Sequence, residues 1–251
     1  MAVAASRAVV AVVAAEVAGD RHLKHDTIWP PPLTSKGRIL IQPGHGYRRP
    51  ANNSAIPNVI FVLLVANGLV FVLQRFQWEL LLQYFALWPI HTPPGWPSFL
   101  PWQLVSYAFL HDPNGLAHIF YNMFGLWMFG RDLERLMGPQ RFLVYYMTCV
   151  IGAGIIQLIV VEFQGEVYPT LGASGGLFGI LLAYGMAFPN RTVMLLIPPI
   201  PMKAKVFVVV YGVLELALGV SGYAPGVAHF AHLGGMLFGF LLLRHWSRRR
   251  N

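Results

Sequence analysis

The chain sets glycines where a helix can least use them. Leu171-Gly172-Ala173-Ser174-Gly175-Gly176-Leu177-Phe178-Gly179 opens an apolar run that reaches Phe188 without a charge. Such a run reads as a membrane helix, yet each glycine costs a helix about 1 kcal/mol relative to alanine. The cost is offset where a bare backbone lets a second helix approach closely, as small residues do in lipid. A matching ladder lies in His229-Phe230-Ala231-His232-Leu233-Gly234-Gly235-Met236-Leu237-Phe238-Gly239, where Gly235 and Gly239 repeat the spacing of Gly175 and Gly179. Two helices closed along these ladders would bring the Ser174 hydroxyl and the His232 ring within hydrogen-bond reach. That is the pairing of a nucleophile with its general base.

Composition sets the solvent for such helices. Of 251 residues, 56% are hydrophobic and 11% charged, with mean hydropathy +0.55. A soluble domain carries about 25% charged residues, so this is an integral, all-α membrane protein with one helical bundle. The net charge of +8 does not point to nucleic acid. The basic residues sit between apolar spans, where they act as orientation signals. The single cysteine, Cys149, lies inside an apolar span and offers neither a disulfide framework nor a cysteine metal site.

Six spans are expected, at Asn58–Leu73, Gly115–Phe129, Phe142–Val161, Ser174–Phe188, Val206–Val220 and Val227–Leu243. Residues 192–202 are broken by Pro198, Pro199 and Pro201 and read as a connection. The first loop, residues 75–112, carries Trp78, Tyr84, Phe85, Trp88, Trp96, Phe99 and Trp102 among prolines. Tryptophan and tyrosine concentrate at headgroup depth. The loop is therefore expected to lie in the interface, with short amphipathic helices such as Trp78–Leu87.

Residues 1–56 read as a basic, disordered cytoplasmic extension, 57–243 as the membrane domain, and 244–251 as a basic cytoplasmic tail. Val9 to Val17 is too short to span a bilayer, which takes about 20 residues. Arg7 before an alanine-rich run leaves a signal peptide as the other reading. Six spans put both termini on one side, with Arg131, Arg135, Arg141, Arg191, Lys203, Lys205 and Arg244. Arg75 alone falls opposite. The asymmetry predicts cytoplasmic termini in a plasma or inner membrane, and it argues against a cleaved signal. Ser174 and His232 then share a depth in the outer half of the bilayer.

A lone membrane serine commonly bonds back to its own helix. Ser174 has a stronger context. It stands at a helix N-terminus, where free N–H groups and the dipole favour a developing negative charge. His118 and Asn122 lie four apart and share a face of the second span. They can complete an oxyanion hole, or make a structural bond between helices. Glu215, inside the fifth span, can orient His229 or His232 as a third member, bond a neighbouring helix, or meet water in a cavity. His229 reads as a structural partner and His111 as a loop anchor.

This set resembles the rhomboid family of intramembrane serine proteases. The likeness rests on Gly172-x-Ser174-Gly175, on Ala231-His232-x-x-Gly235-x-x-x-Gly239, and on His118-x-x-x-Asn122. Gly130-Arg131-Asp132-Leu133-Glu134-Arg135-Leu136-Met137-Gly138 matches the family's Gly-x-x-x-Glu-x-x-x-Gly, and Trp102-Gln103 its Trp-Arg pair, with glutamine for arginine. The resemblance covers about residues 57–243. It implies a six-transmembrane-helix bundle with an interfacial first loop and a Ser–His dyad without a third acid. It also implies cleavage of single-span membrane proteins within or near their helix. By position, Ser174 is the nucleophile and His232 the base. His118 and Asn122, with the Ser174 N–H, hold the oxyanion. Gly172, Gly175, Phe178 and Tyr121 line the site, with Phe178 where many members have tyrosine. Gly179, Gly235, Gly239 and Glu134 serve packing. The fifth span and its outer loop are implied to move to admit substrate, with Gly219, Gly222, Pro225 and Gly226 permitting it.

The expected partners are single-span membrane proteins and lipids, not nucleic acid, and no cofactor or metal is expected. A metal or haem site from His111, His118, His229 and His232 lacks a His-Glu-x-x-His run. A non-catalytic relative that binds client helices is the main alternative, although such proteins lack Ser or His of the dyad. A transporter is disfavoured by the scarcity of charged residues.

Overall fold

The computed structural model describes residues 12–13, 58–195, 200–222 and 228–248. Its helices are α1 (Asn58–Gln74), α2 (Trp78–Phe85), α3 (Ala117–Gly125), α4 (Arg131–Met137), α5 (Pro139–Gln164), α6 (Ser174–Ala187), α7 (Ala204–Ser221) and α8 (His229–Arg248). A π-helical turn, Leu126–Gly130, joins α3 to α4, so the chain stays helical well past Phe129. Gly138, at φ +81°, ends α4 in a conformation that favours glycine. Pro139 then opens α5, where its missing N–H has no intrahelical partner to lose. Among the described residues, α5 and α7 are long and apolar enough to cross a membrane, and α1 and α6 are shorter apolar helices.

Many apolar side chains face outward, and several polar ones face inward. Leu69, Val72, Phe163, Val213 and Val220 are exposed, whereas Asn67, Gln74, Glu134, Gln157 and Glu215 are buried. Hydrocarbon accepts such a surface, because helices satisfy their backbone polar groups internally.

The core forms around α5. Its Tyr145 hydroxyl donates to the Gly179 carbonyl at 2.7 Å, and Tyr107 donates to the Val150 carbonyl at 2.8 Å. A Cβ at Gly152 would lie 2.5 Å from Phe238 Cβ, so α5 also presses directly on α8. This adds a third helix to the expected two-helix zipper. Gly235 does face the α6 backbone, but a Cβ at Gly239 would overlap the Tyr145 hydroxyl and sit 3.0 Å from Cys149 Sγ, both on α5. A Cβ at Gly179 would overlap Cys149 Sγ and lie 3.0 Å from the Gly235 carbonyl oxygen. Three helices share the seam.

Glu134 secures α1. Its carboxylate accepts the Val59 N–H at 3.0 Å and the Ile60 N–H at 2.9 Å. These are orphan donors of the α1 N-terminus, which lacks partners of its own there.

Residues 192–202 are more than a connection. β1 (Val12–Val13), β2 (Thr192–Leu195) and β3 (Pro201–Lys203) form an antiparallel sheet, with Thr192 opposite Lys203 and Val12 opposite Leu195. Pro201 is tolerated because β3 is an edge strand. Part of the extension expected to be disordered is therefore paired. The basic tail at 20–56 lies outside the described residues, as do residues 196–199. The sixth span is expected to end at Leu243. α8 continues through Arg244 to Arg248, where basic side chains suit a helix C-terminus, and Trp246 packs against the core.

In the first loop, α2 ends at Phe85, and a four-residue helix, Gln103–Ser106, and a 3₁₀ turn, Tyr107–Phe109, follow. Buried Gln103 accepts the N–H groups of Trp88 and Leu100, each at 3.2 Å. Exposed Trp102 donates its indole N–H to the Tyr84 carbonyl at 2.9 Å.

Candidate active site

The segment before α6 is pinned on both sides. Leu87 and Thr170 exchange backbone bonds, and the Gly172 N–H donates to the Tyr107 carbonyl at 2.9 Å. Gly172 takes φ +122°, which favours glycine. The space its missing Cβ leaves matters as much. A Cβ there would lie 2.9 Å from His118 Nε2 and 3.7 Å from Ser174 Oγ. The ring of His118 and the hydroxyl of Ser174 thus flank one opening.

Ser174 is the first residue of α6, among the N–H groups that have no intrahelical acceptor. Its Oγ stands 2.8 Å from His232 Nε2. The approach depends on Gly235, where a Cβ would overlap the Gly175 carbonyl oxygen and lie 2.8 Å from its carbon. Phe178, one turn along α6, stacks on the imidazole with centroids 4.3 Å apart and planes 4° from parallel. The stack sets the plane of the ring, and its hydrogen bonds set its rotation.

The other side of the ring meets a carboxylate. His232 Nδ1 lies 2.9 Å from Glu215 Oε2, and His229 Nδ1 lies 2.7 Å from the same oxygen. A carboxylate only accepts, so both Nδ1 atoms carry protons. Nε2 of neutral His232 is then a lone pair, and the Ser174 hydroxyl donates to it. Among the described residues, Glu215, His229 and His232 also form a group whose donor atoms lie close enough together to hold a metal. Zinc ligands about 2.0–2.1 Å from the ion stand roughly 3.3 Å from one another. The two separations to Glu215, 2.7 and 2.9 Å, are hydrogen-bond lengths, and an ion would have to lengthen both.

The Asp112 N–H donates to His118 Nδ1 at 3.3 Å. The tautomer this bond selects leaves a proton on Nε2, facing the opening beside Gly172. Asn122 is buried, and its amide donates to the His118 carbonyl at 3.0 Å, within its own helix. Asn122 Oδ1 has no partner among the described residues. Tyr121 packs edge-on against Phe120 at 5.5 Å. The loop after α7 that contains Pro225 and Gly226 lies outside the described residues.

Two supporting residues, Gln74 and Tyr107, escaped the sequence reading. Gln74 brackets the His111 backbone, donating to its carbonyl at 2.6 Å and accepting its N–H at 3.0 Å. His111 in turn meets His118 edge-on at 5.0 Å. Burial, and secondarily the neighbouring His118, hold the His111 imidazole down to about 3, so it is neutral. Tyr107 ties the segment before α6 to α5. Cys149 packs beneath Gly179. Only Gln74 left a trace in the sequence, as a polar residue closing an apolar span.

Residues 99–249 match the family model described as the Rhomboid domain. The chain belongs to the rhomboid family. It is 30% identical over 191 residues to Rhomboid protein 1, mitochondrial, of Saccharomyces cerevisiae, covering 73% of this chain and 52% of that protein. It is 33% identical over 141 residues to Rhomboid protease GluP of Bacillus subtilis, covering 55% and 25%. Against RHOMBOID-like protein 4 of Arabidopsis thaliana the identity is 34% over 145 residues, covering 56% and 33%. The chain thus spans about half the length, or less, of these relatives. The rhomboid match includes His118, Asn122, Ser174, Glu215, His229 and His232, and α1 and α2 precede it.

Proposed function

We propose that this rhomboid-family protein is an intramembrane serine endopeptidase that cleaves single-span membrane proteins within or near their transmembrane helix. The observation that carries the reading is the 2.8 Å separation of Ser174 Oγ and His232 Nε2, with the lone pair of the ring toward the hydroxyl. Ser174 gives its proton to His232 as Oγ attacks the scissile carbonyl. The oxyanion accepts hydrogen bonds from the Ser174 backbone N–H, His118 Nε2–H and Asn122 Nδ2–H. His232 returns the proton to the leaving amine, and water then hydrolyses the acyl-enzyme by the reverse transfer.

In this reading residues 57–243 form a six-span bundle, α3 and its π-helical turn making the second span. The first loop lies in the interface, where exposed Trp96 and Trp102 suit headgroup depth. The basic residues favour both termini on the cytoplasmic side of a cell membrane, flanked by the 1–56 extension and the basic end of α8.

The test uses the full chain in lipid vesicles with a model single-span substrate whose helix is destabilised near one end. Ser174→Ala and His232→Ala should reduce cleavage to background. A fluorophosphonate should label the protein and fail to label the Ser174→Ala variant. Asn122→Ala should lower kcat about 100-fold, the usual loss for one oxyanion donor, with KM little changed. Cleavage by Ser174→Ala would sink the nucleophile assignment. Wild-type protein that neither labels nor cleaves would leave the client-binding alternative.

A further inference from the structure

Glu215 is an expensive residue in its place. It is 1% exposed, on a helix whose neighbouring outward positions Val213, Leu214 and Leu216 are apolar. An intramembrane carboxylate needs partners. It has two, and both are imidazoles on α8. His229 and His232 lie three apart, so they share a face of that helix. One oxygen, Oε2, receives both Nδ1–H groups, at 2.7 and 2.9 Å.

We propose that Glu215 is a positioning residue for His232, so that the reacting unit is Ser174–His232–Glu215, with His229 holding the carboxylate in place. The proposal rests on the proteolytic reading above and extends it beyond a two-residue dyad. Three effects follow from the geometry. The Nδ1–H···Oε2 bond keeps the His232 proton on Nδ1, so Nε2 is the lone pair that faces Ser174. It fixes ring rotation about the plane that Phe178 already sets. It also puts a negative charge beside the imidazolium that forms when His232 takes the serine proton. No atom is gained or lost by Glu215 in the cycle, because the proton moves only between Ser174 Oγ, His232 Nε2 and the leaving amine.

His229 has a separate part. Its ring meets that of His232 edge-on at 6.4 Å, and its Nδ1 bonds to Glu215. Its Nδ1–H holds Oε2 from the second side, so the carboxylate cannot swing from His232 without breaking both bonds. The two bonds also tie α7 to α8 at the depth of the dyad. The chemistry-bearing ring on α8 therefore takes its tautomer from a helix that contributes neither nucleophile nor base.

A purely structural ion pair between α7 and α8 would account for the burial equally well, and the experiment separates the two. Full-length protein in vesicles is compared as wild type, Glu215→Asp, Glu215→Gln, Glu215→Leu and His229→Gln. For each, kcat, KM, fluorophosphonate labelling rate and thermal unfolding midpoint are measured. The His232 tautomer is read by ¹⁵N imidazole NMR. Positioning predicts that Glu215→Leu lowers kcat by up to about 10⁴-fold, the loss seen when the acid of a serine triad is replaced. KM should hold, and labelling should slow in parallel. Glu215→Gln and His229→Gln should fall between, and Glu215→Asp should recover part of the loss. The wild-type spectrum should show a proton on His232 Nδ1, moving to Nε2 without the carboxylate. A folded Glu215→Gln or Glu215→Leu variant with wild-type kcat would overturn the proposal, and so would a wild-type spectrum with His232 protonated on Nε2 alone. If Glu215→Leu does not fold, Glu215→Gln and the wild-type spectrum decide. Cleavage that needs Ser174 but not Glu215 fails this inference alone. Absence of any cleavage fails the proteolytic reading, while the spectrum still tests the positioning.

Discussion

α5 and α7 are both long and apolar enough to cross a membrane, yet they are attached in opposite ways. The most apolar stretch of α5 is 56% buried within the protein, that of α7 only 28%. α5 sits against α6 and α8 at glycines, with Cys149 beneath Gly179 and Phe238 beside Gly152. α7 turns Val206, Val209, Val213, Leu216 and Val220 outward, and buries Phe207, Val208, Tyr211 and Glu215. In lipid an apolar side chain gains little by exchanging hydrocarbon for protein, so helices associate through close packing or polar bonds. α5 relies on the first. α7 has few such approaches, one being Gly185 against Val208, and relies more on the two bonds of Glu215.

The contrast can be broken most directly at the tight side. Gly235→Ala places a Cβ onto the Gly175 backbone carbonyl, which cannot rotate away. The expected loss is more than about 4 kcal/mol, the scale of severe core disruption. Thermal unfolding in detergent measures it, and an unchanged midpoint would show the seam to be looser than its geometry. An intermediate effect is expected at the anchor of α7. Glu215→Leu removes the partner of two buried imidazole nitrogens, at roughly 1–3 kcal/mol for each buried polar group left unsatisfied. Hydrogen exchange should then quicken in α7 while the amides of α5 keep their protection. Equal quickening in both would mean that the two helices form one cooperative unit. The smallest effect sharpens the comparison from the loose side. A Cβ at Gly212 meets only the flexible end of Met236, at 3.6 Å from Cε. Gly212→Ala should therefore raise the unfolding midpoint slightly, by up to about 1 kcal/mol of helix propensity.

Much of this arrangement was legible in advance. The apolar runs located α1, α5, α6 and α7 to within a few residues, because a membrane helix must be apolar along its length. The glycine ladders pointed to the meeting of Ser174 with His232, since close backbone approach is their main benefit in lipid. Phe178 is expected in the lining of the site, and its ring lies parallel to that of His232. The misses share a cause. The paired valines of β1, the β2–β3 pairing and the continuation of α8 to Arg248 depend on long-range neighbours or on helix-end electrostatics, neither of which leaves a periodic pattern. The part of α5 in the glycine seam was invisible because Cys149, Gly152 and Ala153 look like ordinary small apolar residues.

Glu215 marks the boundary between the two kinds of information. Sequence alone established that a carboxylate sits inside an apolar helix, that two histidines share a face of another, and that a serine opens a third. Those are statements about local spacing and the expense of polarity in lipid. Which imidazole the carboxylate meets, and that one oxygen serves both, was decided only when α7 and α8 packed. A hydrogen bond requires its partners within a few tenths of an ångström, and that precision comes from the helix seams, not from the order of residues.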